Sequence, residues 1–502
     1  MKRASAQSVA LCLLLALCLP LTGCVPLYAE LHTGDSHFEM PVPEEAPAGP
    51  AVGDEILPRT VPATLYCPSE DGQELSSAAA EITVGAGETL PQRLVGALLE
   101  DAARGVAPEG TSALSVRQSG GTVVVDLSLE ARAVETPRQL FLMRAAIVKT
   151  LCGAEGVSCA DVLISGRALP VTALPCGAGR PNDAPLAVQW SQALSEAELA
   201  GEGAVDVSRT AVLYHPARNS RLIVPETREI TIEQGDALSA LLDALSDDGA
   251  LDPAVRPILP DSDAAIITGA ELVTLADGRR VARLTFDGNL SAILDRARLN
   301  AWQMYASLAC TLTGFLPDLD GIQVYVGDGL LTRVDSPAGE VALDNGVMHR
   351  AMFERTIGQL ETIYMTASDG SLRPLGRPMR AEEASSPRQL LALLFEEPRP
   401  WEADVSRVVP DGLTIDDLLG VRVEDGIATL NFSKAFHAGC QRLNSQQERN
   451  LVFALVNTLT EHPAVRAVRI QIEGEALETL VHEISLLSPL MRNPGVISAP
   501  DV

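Results

Sequence analysis

One order of segments occurs three times along this chain, and that repetition limits what it can fold into more than any other feature. Each copy opens with a strand that carries a tyrosine and then a turn: Thr64-Leu-Tyr-Cys-Pro-Ser-Glu-Asp-Gly72, Ala211-Val-Leu-Tyr-His-Pro216 and Thr362-Ile-Tyr-Met-Thr-Ala-Ser-Asp-Gly370. A short amphipathic helix follows, with apolar residues three and four apart: Pro91 to Glu100, Ala237 to Leu245 and Pro387 to Phe395. Proline suits the first turn in the outer copies, where its missing N–H has no helical partner to lose. A loop with proline and acid or glycine (Pro108-Glu-Gly110, Leu259-Pro-Asp261, Pro410-Asp-Gly412) leads into a hairpin.

The second strand of that hairpin alternates β-branched residues before an Asp or Asn: Gly121-Thr-Val-Val-Val-Asp-Leu-Ser128, Val281-Ala-Arg-Leu-Thr-Phe-Asp287 and Gly426-Ile-Ala-Thr-Leu-Asn-Phe-Ser433. Asp126, Asp287 and Asn431 are taken to mark one register. A longer helix with a wide apolar stripe follows, over Arg138 to Leu151, Arg298 to Leu312 and Gln446 to Leu459. A last strand then runs to Gly166, Gly327 or Gly474. The pattern predicts an α+β protein of three tandem β-α-β-β-α-β domains, each with two helices on one face of a small mixed sheet and the other face partly wet. Edges of such sheets must be covered, blunted or paired, so association through a sheet edge or a helix face is a natural use.

The start of the chain sets the compartment. Lys2 and Arg3 precede an apolar run, Val9 to Pro20, that is short for a bilayer span, and Leu21-Thr22-Gly23-Cys24 follows at once. The order reads as an export signal, and the four residues resemble a bacterial lipobox. Residues 1–23 are then a lipoprotein signal peptide, and Cys24 is the acylated first mature residue on the extracytoplasmic face of the membrane. An ordinary signal peptide or a retained signal anchor are the other readings. Residues 24–59, rich in Pro, Gly, Ala and acid, read as a lipidated, disordered tether. The remaining expected boundaries are domains at 60–175, 208–330 and 358–478, linkers at 176–207 and 331–357, and a C-terminal tail at 479–502.

A net charge of −28, with 66 acids against 38 bases, makes nucleic acid an improbable partner, because that affinity comes from Lys and Arg displacing counterions. Four cysteines beyond the proposed lipid site, Cys67, Cys152, Cys159 and Cys176, fall in the first copy. Outside the cell Cys152 and Cys159 form a plausible short disulfide loop; free buried thiols are the alternative. Zinc is disfavoured, since no CxxC pair is present and the histidines are scattered, so no metal and no cofactor are expected.

No catalytic constellation is recognisable either. Ser128 and Ser433 lie outside any GxSxG elbow and read as turn or cap residues. Asp126, Asp287 and Asn431 read as strand-end turn residues. Tyr66, Tyr214 and Tyr364 read as half-buried strand tyrosines, with a contact surface as the functional alternative. His215, His437 and His462 read as surface or turn residues, and Gly166, Gly327 and Gly474 serve the closing turn.

Taken in order, these motifs resemble the GerMN domain family of sporulation and spore-germination GerM-like lipoproteins. The likeness is clearest in copy three, through Ser386-Pro-Arg-Gln-Leu-Leu-Ala-Leu-Leu-Phe, Gly426-Ile-Ala-Thr-Leu-Asn-Phe-Ser, Ala454 to Pro463 and Ile472-Glu-Gly474. Copy one matches through Leu65-Tyr66, Pro108-Glu-Gly110, Val125-Asp-Leu-Ser128 and Ile164-Ser-Gly166, while copy two is the most divergent. The resemblance implies a fold similar to ring-building domains of envelope secretion assemblies. It also implies a non-catalytic binding or assembly role in an envelope complex of sporulation or germination. Envelope proteins, further copies of the chain and peptidoglycan are the expected partners. A ligand-binding or sensor-kinase-accessory lipoprotein is the alternative it leaves open.

Overall fold

The computed structural model describes residues 51, 53–100, 105–169, 177–180, 206–247, 249, 251–258, 266–482 and 484–498. The signal and lipid-site expectations at 1–24, the tether up to residue 50, Cys176, most of the first linker and Leu259-Pro-Asp261 lie outside these residues.

A short strand, β1 (Gly53–Ile56), precedes the first unit. That unit runs β2 (Arg59–Pro68), β3 (Leu75–Val84), α1 (Leu90–Glu100), β4 (Ala113–Ser119), β5 (Thr122–Leu127), α2 (Pro137–Cys152), β6 (Cys159–Ile164) and β7 (Arg167–Ala168). The second unit holds β8 (Val207–Pro216), β9 (Ile223–Ile232), α3 (Ala237–Ser246), β10 (Ile267–Thr274), β11 (Arg280–Phe286), α4 (Leu290–Ala297), α5 (Ala301–Phe315), β12 (Gly321–Val326) and β13 (Gly329–Leu330). After it come a hairpin, β14 (Arg333–Ser336) with β15 (Gly339–Ala342), and the short β16 (Val347–Met348). The third unit holds β17 (Gln359–Ala367), β18 (Leu372–Met379), α6 (Ala381–Ala384), α7 (Pro387–Leu394), β19 (Val405–Ser406), β20 (Leu418–Glu424), β21 (Ile427–Phe432), α8 (Lys434–Cys440), α9 (Ser445–Leu459), β22 (Ala467–Ile472), β23 (Glu475–Ala476) and β24 (Leu490–Met491).

The tyrosine strand of each copy is the first arm of an antiparallel hairpin, and the alternation above had not supplied its partner. β2 pairs β3, β8 pairs β9 and β17 pairs β18. Returning arms such as Leu75-Ser-Ser-Ala-Ala-Ala-Glu are mostly exposed, so hydrophobicity does not mark them. The second sheet of each unit has one topology: an antiparallel hairpin (β4–β5, β10–β11, β20–β21) whose second strand pairs in parallel with β6, β12 or β22.

The long helices correct the expected two-layer packing. α2, α5 and α9 each touch the tyrosine strand on one side and the last parallel strand on the other. They are therefore buried nearly all round: in α2 every residue from Leu140 to Leu151 except Lys149 is buried. Their starts are locally determined. Thr136 with Gln139 and Asn444 with Gln447 form reciprocal capping boxes, which satisfy amides that the first turn leaves unpaired.

Buried side chains form one large core per unit. The far face of the first unit's sheet is not wet, because Val124, Cys159 and Leu163 join the core of the second unit. β5 and β6 are accordingly buried at every position.

Three boundaries also change. Ala51 is buried and β1 pairs in parallel with β20, so the expected tether already belongs to the fold at its C-terminal end. The expected linker 331–357 supplies Val334, Met348 and Phe353 to the second core. The expected tail supplies Leu480, Leu486 and Val496 to the third. These segments carry few apolar residues per turn and lack periodicity, so only the surfaces that receive them show that they are structural.

Candidate functional site

The three tyrosines sit at one structural position. Tyr66 and Tyr214 donate their backbone N–H to Thr150 and Thr311 near the ends of α2 and α5, at 3.0 and 2.9 Å. Thr458 stands at the corresponding place on α9, where it is buried. The signal was present in the sequence as a recurring Thr-Leu pair, Thr150-Leu151, Thr311-Leu312 and Thr458-Leu459.

A cation lies over each ring: Lys149 over Tyr66, Arg350 over Tyr214 and Arg492 over Tyr364. Arg350 and Arg492 are equivalent. Each follows by two residues the position, Met348 or Leu490, that pairs with Ile322 of β12 or Val468 of β22. Beyond each arginine the chain returns to the hairpin, where Gly358 donates to Ile223 and Ser498 to Leu372 at 2.8 and 2.7 Å. Tyr214 and Tyr364 are buried and hydrogen bonded to these arginines, so their hydroxyls are structural and not a free contact surface.

The strand-end positions need one correction of register. The Asp126 carboxylate accepts from the Gly166 N–H at 2.8 Å, and the Asn431 carbonyl accepts from the Gly474 N–H at 2.7 Å. Each clamps the turn after the last strand. Strand pairing puts Thr285 at this position in the second unit, with Asp287 two residues further on, equivalent to Ser128 and Ser433. Backbone bonds agree, since Ser128, Asp287 and Ser433 donate to Ser112, Ile266 and Asp417. Asp287 then accepts from Asn289 N–H and Ser433 from Phe436 N–H, as residues that start a helical turn do. By the same register Gly327 corresponds to Ser165 and Glu473, all three with positive φ.

The seam between the first two units is polar. Asp126 and Asp161 project from the far face of the first sheet, where Arg350 of the second unit approaches. Arg117 bonds Glu354 across the seam at 2.5 Å. Burial pushes the Asp161 carboxyl up to about 6, with Arg144 and Arg350 pulling the other way. A folded pKa above the unfolded one means that the native state holds the proton more tightly. The stability from this group is therefore complete below pH ~4 and is lost as pH rises through about 6. Asp161→Asn should remove roughly 2–3 kcal/mol of the stability change between pH 4 and pH 7, read from urea midpoints at both pH values. An unaltered profile in the variant would show that Asp161 does not titrate in this window.

One histidine departs from expectation, while His462 lies in the turn after α9. His215 is fully buried, with Nε2 3.2 Å from Glu226 Oε2, and is not a surface residue. The half-buried His462 accepts from Ala464 N–H through Nδ1, and desolvation lowers its pKa to about 4. His437 lies half-buried beside the Leu480 carbonyl. Cys159 is a buried free thiol 3.2 Å from Thr122 Oγ1, so the structure does not join it to Cys152, which lies at the end of α2. Among the described residues no group of His, Cys, Asp and Glu is placed to hold a metal ion, and no helix is long and apolar enough to cross a membrane.

What the arrangement does offer is a sheet edge that accepts a strand. β1 lies on β20 with Gly53 opposite Gly420 and Glu55 opposite Arg422. Asn431 Nδ2 donates to the Ala51 carbonyl at 3.0 Å, and Arg388 Nε donates to both Asp54 oxygens at 2.8 and 2.9 Å. Gly420 is needed for this approach, because a Cβ there would stand 2.5 Å from the Ala51 oxygen and 2.7 Å from that of Gly53. A groove of 1280 Å³ is lined from the first and third units by Arg59, Leu114, Arg117, Glu361, His462 and Arg466 among others.

Residues 64–170 and 362–478 match the Germane family model, described as sporulation and spore germination. The chain carries two Germane domains. Solved structures similar to this Germane protein include the tandem GerMN domains of the sporulation protein GerM from Bacillus subtilis, at 16% identity and a TM-score of 0.23, covering 59% of this chain and all (100%) of that one. The first GerMN domain of the same protein covers 26% of this chain and 97% of its own, at 21% identity and a TM-score of 0.22. Among curated proteins none matches the sequence.

Proposed function

We propose that this Germane protein is a lipid-anchored, extracytoplasmic assembly component of an envelope complex in sporulation or germination, built from three copies of one non-catalytic domain. The observation that carries it is the middle unit. Though the family model matches only the regions on either side, residues 207–357 repeat their hairpin and their parallel strand pair, the Tyr–Thr hydrogen bond of the first region and the ring-covering arginine of the third. The copies span roughly 60–175, 208–330 and 358–478 together with the segments that return after the second and third.

Acylation at Cys24 would hold the array at the membrane, and three linked copies raise avidity for a multivalent partner without any catalytic group. The test is affinity capture of the full chain from detergent-solubilised sporulating cells, with Cys24→Ala as a control for anchoring. Stoichiometric co-recovery of envelope proteins is expected, and recovery of a lone monomer would count against an assembly role. The groove between the first and third units favours a second reading, a ligand-binding lipoprotein. Saturable heat on titration with muropeptides would promote it.

A further inference from the structure

The edge of β20 is filled, and its equivalent in the second unit is not. All three units interrupt their hairpin with a bulge at one position, between Ala113 and Ser115, Ile267 and Gly269, and Leu418 and Gly420. The residue after the bulge is Gly420 in the third unit, where β1 lies against it. It is Ser115 in the first, where a side chain occupies the space the strand would need. In the second it is again glycine, Gly269.

Gly269 is exposed where Gly420 is buried, and the middle of β10 from Thr268 to Leu272 is exposed on both faces. Among the described residues β10 pairs only with β11. A Cβ on Gly269 would meet nothing nearer than Thr285 at 3.7 Å, so the fold of the unit itself does not require glycine there.

We propose that the outer edge of β10 is a strand-acceptor site for an extended segment of a partner protein, running parallel to β10 as β1 runs along β20. The register transfers residue by residue. A small residue lies against Gly269, and the residue two further on faces Glu271, as Glu55 faces Arg422 in the third unit. An apolar residue then covers the exposed Leu272.

Charge sets the specificity. The filled site bonds Asp54 through Arg388 and sets Arg422, which pairs with Glu424 at 3.2 Å, opposite Glu55 in register. At the open site, alignment of the buried leucines Leu241 and Leu242 with Leu390 and Leu391 puts Ser239 in the place of Arg388, and Glu271 replaces Arg422. Glu271 is met from β11 by Arg283 at 3.1 Å but keeps a side chain 60% exposed, and the occupant carries Lys or Arg opposite it. The chain's own acidic β1 sequence does not suit the site. This inference rests on the assembly reading above and names the chemistry of one partner.

The test uses the full chain in detergent and two synthetic peptides spanning residues 50–57, one native and one with Glu55→Lys, each with a photo-crosslinker at its C-terminus. The lysine peptide is expected to label β10 saturably and at least tenfold more efficiently than the native peptide. Gly269→Val, which leaves the unit's own packing intact, should cut that labelling at least tenfold without moving the melting temperature. Glu271→Lys should reverse the preference between the peptides. Labelling confined to β20, no labelling, or equal labelling of the Gly269→Val protein would overturn the proposal. Those outcomes leave the cell-capture result untouched, so failure here is distinguishable from failure of the assembly role.

Discussion

Replacing Arg377 by methionine is expected to cost the third unit about 3–5 kcal/mol. Arg377 is fully buried on β18, and its guanidinium donates to Glu402 and Glu396, each at 2.7 Å. Glu396 is near the surface and can be rehydrated, but the Glu402 side chain is only 2% exposed. Methionine fills most of the volume while leaving that carboxylate charged and without its cation. The cost therefore comes from the orphaned acid and not from lost packing. Arg377→Met with Glu402→Gln should recover much of the loss, since a buried pair replaced on both sides is often nearly neutral. Urea unfolding followed through the neighbouring Trp401 reads both variants. A loss below about 1 kcal/mol for the single variant would mean that Glu402 finds water or a proton instead.

The second large effect compares two equivalent arginines. Arg350 is buried, donating to the Cys310 carbonyl at 2.9 Å and the Tyr214 hydroxyl at 2.7 Å, and its stem packs on Gly166 of the first unit. Arg350→Ala would leave the Tyr214 hydroxyl without this donor, take the additional bond from the Cys310 carbonyl and remove a cation facing Asp126 and Asp161. A loss of about 3–5 kcal/mol is expected, with the first two units loosened together. Arg492 makes the corresponding bond to Tyr364, but its side chain is 40% exposed, so Arg492→Ala should cost only about 1 kcal/mol. Equal losses at the two sites would show that the tyrosine contact dominates and that the seam adds nothing. Thermal melts with hydrogen exchange on α5 and α9 separate these outcomes.

Local physics made much of this fold legible. The alternation of Val123, Val125 and Leu127, with its counterpart Ala428, Leu430 and Phe432, marks the inner faces of β5 and β21. Ser386-Pro387 announces α7, where the serine accepts from Gln389 N–H and the proline sits in the first turn. The returning hairpin arms were not legible, because a strand with one half-buried face and small residues has no strong period. Counting to the nearest acid placed Asp287 one alternation out of register, whereas the pairing of β11 with β12 puts Thr285 there.

The sequence by itself determined the recurring core strands and long helices, the starts of the capped helices and the acidic charge, because these depend on periodicity, caps and composition within a few turns of chain. Only the tertiary structure decided which acids are buried, which arginine covers which ring and which sheet edge is filled. Asp161 is buried because the second unit lies over it, and β1 leaves its neighbours in sequence to pair with residues more than 350 positions away. Burial and edge pairing arise from surfaces brought together at long range, and no local pattern encodes what will cover them.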